Sequence, residues 1–160
     1  MERIEKTIEV ERHVRTVYNQ WTQFEEFPRF MDGVKEVKQL DDTHVHWRAS
    51  VAGKEKEWDA EITEQVPDEK IGWKSVSGDA WNAGVVRFEP LSANRTRVRL
   101  VMAYDPRGVL EHVGDALGIL SASVQRSVTN FKKYIESRGM EDGGWRGSVH
   151  DSVAVLRRLS

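Results

Sequence analysis

The decisive stretch of this sequence runs from residue 109 to residue 135 and reads VLEHVGDALGILSASVQRSVTNFKKYI. Its apolar members follow one another at spacings of 4, 4, 3, 4, 4, 3 and 4 residues, the period of one continuous stripe on an α-helix. Asp105 and Pro106 are suited to cap and open this helix, and Gly139 is suited to end it. The pattern predicts a long C-terminal helix with one face to bury. The stripe consists of Val109, Val113, Leu117, Leu120, Val124, Val128, Phe131 and Ile135.

Upstream of the helix, apolar and polar residues alternate with a period of two, which is typical of strands with one wet face. The first such segment is 3–11, and further segments separated by turn residues fill 34–104. Between them, the helical spacing of 14–21 and 24–31 predicts two short helices, with Pro28 tolerated only in a first turn. A sheet and a long helix bury their apolar faces best against each other. We therefore predict an α+β domain in which an antiparallel sheet of about seven strands wraps around the long helix.

The composition excludes several classes of protein. The chain has 160 residues, the size of one ordinary domain, and its 24 basic against 26 acidic side chains give no basic excess for a nucleic-acid partner. The sequence contains no run of about 18 apolar residues, so it predicts no integral membrane segment. The absence of Cys excludes disulfides and thiol chemistry. Because no apolar signal segment opens the sequence, we expect a cytoplasmic protein.

Glycines beyond the long helix predict a boundary there. Gly143, Gly144 and Gly147 interrupt any periodic apolar pattern in the last segment of the chain. We therefore predict one domain over residues 1–139 and a tail over 140–160. The tail is expected to pack loosely, either as a flexible segment or docked on a second copy of the chain in a homodimer.

The inward faces of the strands and of the helix define the candidate ligand-binding residues. These inward positions carry many apolar and few polar side chains. Such a composition suits either a cavity for an aromatic or lipid-like ligand or a filled hydrophobic core. Gly114 and Gly118 within the helix indicate either space for a ligand or a kink. Trp81, in the predicted loop 78–84, is suited to a lid over a cavity or to a cover for the edge of the core. The predicted inward set is Trp47, Trp58, Trp73, Val86, Phe88, Leu100, Met102, Tyr104, Leu117, Leu120 and Val124.

Three segments of the chain resemble one bacterial family. They read WTQFEEFPRFM (21–31), VAGKEKEW (51–58) and FKKYIE (131–136). Together with the order of strands and helices over residues 1 to about 139, they are similar to the polyketide cyclase/dehydrase-like subgroup of the START-like (SRPBCC) superfamily. The resemblance implies the helix-grip fold. This superfamily includes aromatic polyketide cyclases, quinone-binding proteins, lipid carriers and chaperone activators, so its fold alone does not determine a function.

The resemblance implies, as the leading hypothesis, binding and transport of a small hydrophobic molecule such as an aromatic polyketide or a lipid, with no cofactor. Two alternatives stay open: a polyketide cyclase or dehydrase, and a protein-interaction module with a filled core. A cyclase needs positioned polar groups that enolise and orient a poly-ketone. The inward polar candidates are Tyr104, Ser75, Thr96 and Glu64. No Arg shares their face, which weakens the enzyme hypothesis.

The outward face of the sheet is charged. Arg95, Arg97 and Arg99 on the last strand are predicted to pair with Glu5, Glu9 and Glu11 on the first, as neighbouring strands of opposite charge do. Because these glutamates neutralise the arginines, we expect no nucleic-acid or phosphate patch. His44 and His46 share the outward face two residues apart, but no third ligand accompanies them, so no metal site is predicted.

Overall fold

The long helix predicted from the apolar stripe is present. The structure, a computed structural model, describes residues 2–51, 53–105 and 116–155, and within them a helix covers Ala116–Arg138, here called α2. Gly139 ends it as predicted: its φ of +79° is a conformation that glycine adopts easily, and its N–H donates to the carbonyl oxygen of Ile135. The predicted opening residue, Pro106, lies outside the described residues, as does Gly114.

Seven antiparallel strands form the main sheet, as predicted, in the spatial order β1-β7-β6-β5-β4-β3-β2. Two short helices follow the first strand, also as predicted: α1 (Val14–Trp21) and a 3₁₀ helix (Phe24–Arg29). Two further short strands, β8 and β9, bring the sheet to nine strands among the described residues. The strands are β1 (Glu2–Val10), β2 (Val34–Gln39), β3 (His44–Val51), β4 (Lys54–Val66), β5 (Lys70–Gly78), β6 (Asn82–Ser92), β7 (Arg95–Tyr104), β8 (Ser148–His150) and β9 (Val153–Val155).

The core is densest beneath the C-terminal half of α2. There Phe131 packs against Trp21 of α1, with ring centroids 4.7 Å apart, and against Phe30, with centroids 5.2 Å apart. Ile135 is buried in the same cluster, and Val128 of the same helix is also buried. Towards its N-terminal end, α2 contributes Leu120 to a separate and smaller buried cluster. The helix therefore closes the sheet firmly at one end, while its other end lies over less filled space.

A β-bulge in β4 changes the side-chain parity that simple alternation predicts. The pairing of β4 with β5 shifts register between Ile62 and Glu64. After the bulge, Gln65 is buried at 1% exposure. Glu64 instead forms an ion pair with Lys70, with 2.7 Å between Oε1 and Nζ. Because a bulge inserts one residue and reverses the two faces beyond it, the prediction of an inward Glu64 is corrected.

The described part of the predicted tail packs tightly rather than loosely. Val149 in β8 is fully buried and pairs with Gln65 of β4. The guanidinium group of Arg146 donates to Asn19 Oδ1 and to Asp68 Oδ2, both at 2.7 Å. A Cβ at Gly144 would lie 2.8 Å from Asn19 Cγ, so this glycine permits close approach to α1 instead of breaking structure. Residues 140–155 thus contact the sheet and α1, contrary to the expected loose packing.

The charged outer face follows the predicted pairing of β1 with β7. Arg99 lies 2.6 Å from Glu5, and Arg95 lies 2.7 Å from Glu9. Glu11 departs from the prediction, since its backbone N–H donates to Glu136 of α2. At this exposure each pair contributes about 0.2–1 kcal/mol, so the outer face sets strand pairing more than stability.

The two histidines on β3 bind separate carboxylates. Nδ1 of His44 lies 2.9 Å from Asp41, and Nδ1 of His46 lies 2.5 Å from Asp59. Within the described ranges, no three His, Asp or Glu side chains converge in a way that could hold a metal ion.

Candidate functional site

An apolar cavity of about 200 Å³ lies between the concave face of the sheet and α2. Its walls also include residues from α1 and the 3₁₀ helix, such as Trp21 and Phe27. Asp32 and Tyr104 are the only titratable side chains among the described lining residues. Eight of the residues predicted from sequence are brought together here: Trp47, Trp58, Trp73, Leu100, Met102, Tyr104, Leu120 and Val124.

The other predicted site residues lie elsewhere. Phe88 points inward but is covered by α1, with its ring centroid 5.3 Å from that of Tyr18 and 6.1 Å from that of Trp21. Ser75 is buried, and its hydroxyl donates to the Asn82 carbonyl oxygen and accepts from the Asn82 N–H. Phe88 and Ser75 therefore support the wall from behind instead of lining it.

Trp81 is 40% exposed and does not line the cavity, although its neighbours Ala80 and Asn82 do. A role for Trp81 as a lid stays a prediction. The side chain of Leu117 lies outside the described residues.

Three of the four tryptophans that line the cavity lie on the sheet and form its aromatic wall. Trp47 and Trp58 are directly opposite each other on β3 and β4. Their rings stack, with centroids 5.8 Å apart and planes 4° apart. Trp73 is held by its indole N–H, which donates to Asn82 Oδ1 at 2.9 Å. Such fixed aromatic faces suit a flat apolar ligand, because rings pack favourably in offset or edge-to-face contact.

Gly84 on β6 makes room for the Trp73 ring. A Cβ at this position would lie 2.7 Å from Trp73 Cζ2 and 2.5 Å from the carbonyl oxygen of Val101. Both distances are shorter than van der Waals contact. Gly84 therefore lets the indole lie against the neighbouring strand, which sets how far this ring reaches into the cavity.

Gly84→Ala should lower both the melting temperature and the affinity for an apolar ligand. Overpacking of this kind costs about 1–3 kcal/mol. For a chain of this size we expect a melting temperature lower by about 2–10 °C in circular dichroism. In a protein that already carries Trp73→Phe, the same Gly84→Ala change should lower the melting temperature less, because the smaller ring leaves room for the Cβ. An unchanged melting temperature in Gly84→Ala would contradict this account of the wall.

The polar edge of the cavity is a cluster of four residues on α2 and the loop after the 3₁₀ helix, here called the rim cluster: Asp32, Ser123, Arg126 and Ser127. Asp32 Oδ2 accepts from Ser123 Oγ at 2.9 Å and from Arg126 Nη2 at 2.8 Å. The hydrogen bond from Arg126 holds the pKa of the Asp32 carboxyl below its usual range. Asp32, Ser123 and Ser127 line the cavity.

Sequence reasoning missed the rim cluster. Asp32 and Gly33 follow the 3₁₀ helix and have the composition of a simple turn. Asp32 meets Ser123 and Arg126 across 91 and 94 residues of sequence, so no local pattern indicates the contact. The helical periodicity of α2 could have placed Ser123 and Ser127 on one face, four residues apart, next to the apolar stripe.

Comparison with known proteins defines the family. Residues 10–133 match the sequence profile of the family described as polyketide cyclase / dehydrase and lipid transport. A relative in Streptomyces lincolnensis, an uncharacterized 17.2 kDa protein from the melC2-rnhH intergenic region, is 52% identical over 149 residues, which is 93% of this chain and 99% of the relative. The chain belongs to the polyketide cyclase/dehydrase and lipid transport family.

Two solved structures illustrate how far the fold is shared. The Zhui aromatase/cyclase from Streptomyces sp. R1128 matches with a TM-score of 0.70 and 19% identity, over 90% of this chain and 99% of that one. A START superfamily protein from Mycobacterium smegmatis matches with a TM-score of 0.68 and 15% identity, over 85% and 95% of the two chains. At these identities the likeness establishes the helix-grip fold.

Of the helices that the structure describes, none is both long enough and apolar enough to cross a bilayer.

Proposed function

We propose that this protein binds a small, flat, hydrophobic molecule in the cavity under α2 and carries it, an aromatic polyketide or a fragment of one being the best match. The observation that carries the proposal is the composition of the wall. Four indole rings and a majority of aliphatic side chains surround the space, with Asp32 and Tyr104 as the only titratable groups among the described lining residues. A pocket of this kind gains affinity from apolar contact and orientation from few polar groups.

The size of the cavity favours an aromatic ligand over a long lipid chain. An engineered protein cavity of about 150 Å³ takes up one benzene molecule. The cavity here holds about 200 Å³, which suits one or two fused rings. A longer acyl chain would need the surrounding elements to separate. We therefore place an aromatic molecule ahead of a lipid.

Native mass spectrometry of the protein purified under mild conditions tests this proposal. We expect a co-purified small molecule, or, with the naphthalene-based neutral dye prodan added, a one-to-one complex that gives a blue-shifted emission. A protein that neither retains a small molecule nor binds prodan would favour the interaction module with a filled core. A cytoplasmic location and a homodimer stay predictions from the sequence.

A cyclase or dehydrase is the second candidate, because Tyr104 brings one acid–base group into the cavity. Tyr104 is 1% exposed and pairs with Asn82 at the start of β6. The name of one structural neighbour, an aromatase/cyclase, adds support for this alternative. Against it stands the small number of titratable groups, since Asp32 is the only one besides Tyr104 among the described lining residues.

Tyr104→Phe distinguishes the carrier from the enzyme. For a carrier, we expect prodan affinity within about fivefold of the wild type, the effect of one neutral hydrogen bond. The rate at which a model poly-β-ketone cyclises should then be the same with either protein. Loss of about 10²-fold or more in that rate, with affinity retained, is the result expected of a general acid or base and would favour the enzyme.

A further inference from the structure

The rim cluster offers the cavity an acceptor and no free hydroxyl proton. Ser123 Oγ donates to Asp32 Oδ2, and Ser127 Oγ donates to the carbonyl oxygen of Ser123 at 3.0 Å. Ser127 Oγ also accepts from the backbone N–H of Asp32 at 2.9 Å. Because each hydroxyl has one proton, both protons are committed within the cluster. A ligand that reaches this edge therefore meets acceptor oxygens.

The carboxylate of Asp32 keeps one oxygen for a ligand. Its Oδ2 takes both side-chain donors, Ser123 and Arg126, while Oδ1 has no partner among the described residues. The Asp32 side chain is 37% exposed, so Oδ1 is accessible. The pKa of Asp32 lies below its usual range because of the hydrogen bond from Arg126, so the group is ionised near neutral pH and only accepts.

The charges around this oxygen favour a neutral donor over an anion. Arg126 is already paired with Asp32, and the pair is formally neutral. Asn82 also lines the cavity, and its Oδ1 accepts a hydrogen bond from the Trp73 indole N–H, which fixes the orientation of the amide. The NH₂ group of Asn82 is then its remaining hydrogen-bond donor. Because this donor is uncharged, it does not offset the cost of burying an anionic ligand.

We propose that Asp32 is a specificity-determining residue of the cavity: its Oδ1 accepts a hydrogen bond from a hydroxyl group on the ring of the ligand, and it disfavours a ligand carboxylate, whose oxygens have no proton to donate to Oδ1. This inference rests on the proposed ligand-binding function and narrows its ligand class to neutral, hydroxylated aromatic molecules. The apolar wall binds the ring system, and Asp32 selects which substituent it carries.

Three probes of one shape test the proposal on the wild-type protein by isothermal titration calorimetry: 2-naphthol, 2-methoxynaphthalene and 2-naphthoate. We expect 2-naphthol to bind about tenfold more tightly than 2-methoxynaphthalene, as one hydrogen bond to a charged acceptor would give. The carboxylate probe 2-naphthoate should bind most weakly. Equal affinities for 2-naphthol and 2-methoxynaphthalene would overturn the role of Asp32 while leaving the cavity function standing. No binding by any probe would overturn both.

Asp32→Asn should reverse this preference. The new amide must present its oxygen to Ser123 and Arg126, which only donate here, so its NH₂ replaces Oδ1 at the cavity. An acceptor thereby becomes a donor. We expect 2-naphthol to lose about tenfold in affinity, and 2-naphthoate and 2-methoxynaphthalene to gain relative to it.

Asp41→Asn is the matched control, because Asp41 is an exposed carboxylate that contacts His44 outside the cavity. It should leave all three affinities unchanged. Circular dichroism establishes whether each variant is folded. If Asp32→Asn does not fold, the affinities of the three probes for the wild-type protein decide the role of Asp32. A folded Asp32→Asn protein with the wild-type order of affinities would overturn the proposal.

Discussion

Leu120→Trp should abolish binding of a naphthalene-sized ligand while the protein stays folded. Leu120 is 9% exposed and lines the cavity from α2, so an indole at this position extends into the space that the ligand needs. That space is only about 200 Å³, and a bicyclic ring occupies most of it. Overpacking a filled core costs about 1–3 kcal/mol, and entry into a void should cost less. We expect prodan affinity to fall at least tenfold, with a melting temperature within a few degrees of the wild type.

The control is Ala122→Trp, which adds the same ring to an exposed position two residues further along α2. It should leave prodan binding unchanged. A folded Leu120→Trp protein that binds prodan as tightly as the wild type would show that the ligand lies elsewhere. Near-ultraviolet circular dichroism, measured in parallel, separates loss of the site from loss of the fold.

The fold can be predicted from the sequence, because it follows from two spacings of apolar residues along the chain. A spacing of three and four residues selects the long helix, and alternation selects the strands. The same parity placed Trp47 and Trp58 on the inner face, where they stack across β3 and β4. Parity is a local property, and it holds as long as the strand pairs regularly.

Where the pairing is irregular, prediction from sequence fails for a physical reason. The bulge between Ile62 and Glu64 depends on how β4 meets β5. Gly72 of β5 pairs with Glu64, and a glycine inside a strand often marks a bulge, but simple alternation of apolar and polar residues does not register it. It exchanged the faces of Glu64 and Gln65. The sequence predicted Glu64 on the inner face only because strict alternation assumes a register that the bulge interrupts.

Inward orientation also does not decide whether a residue lines a cavity or fills a core. Phe88 and Trp73 both turn to the inner side of the sheet. Phe88 is covered by Tyr18 and Trp21 from α1, whereas Trp73 faces the space under α2. Which element covers an inward side chain is set by tertiary packing. The extent of the cavity could therefore not be predicted from the strands alone.

Removal of residues 141–160 should destabilise the protein strongly. Deletion removes the fully buried Val149, exposes the core surface that it covers, and leaves Asp68 without its partner Arg146. It also leaves the buried Gln20 without the backbone N–H of Asp142 that its Oε1 accepts at 2.8 Å. These losses together amount to about 4 kcal/mol or more. At this chain length we expect a melting temperature lower by about 8–16 °C.

Two valines on the same β8–β9 hairpin make the test specific. Val149 is 0% exposed and Val153 is 63% exposed, so they share a chemistry and differ in burial. Val149→Ala should cost about 2 kcal/mol, from two lost methyl groups and the void they leave, and should lower the melting temperature by about 4–8 °C. Val153→Ala should stay within about 0.5 kcal/mol of the wild type, because an exposed methyl group gains little from folding. If the two variants and the deletion all melt with the wild type, the hairpin does not hold its place on β4 in solution, and the loosely packed tail expected from the glycines would be the correct description.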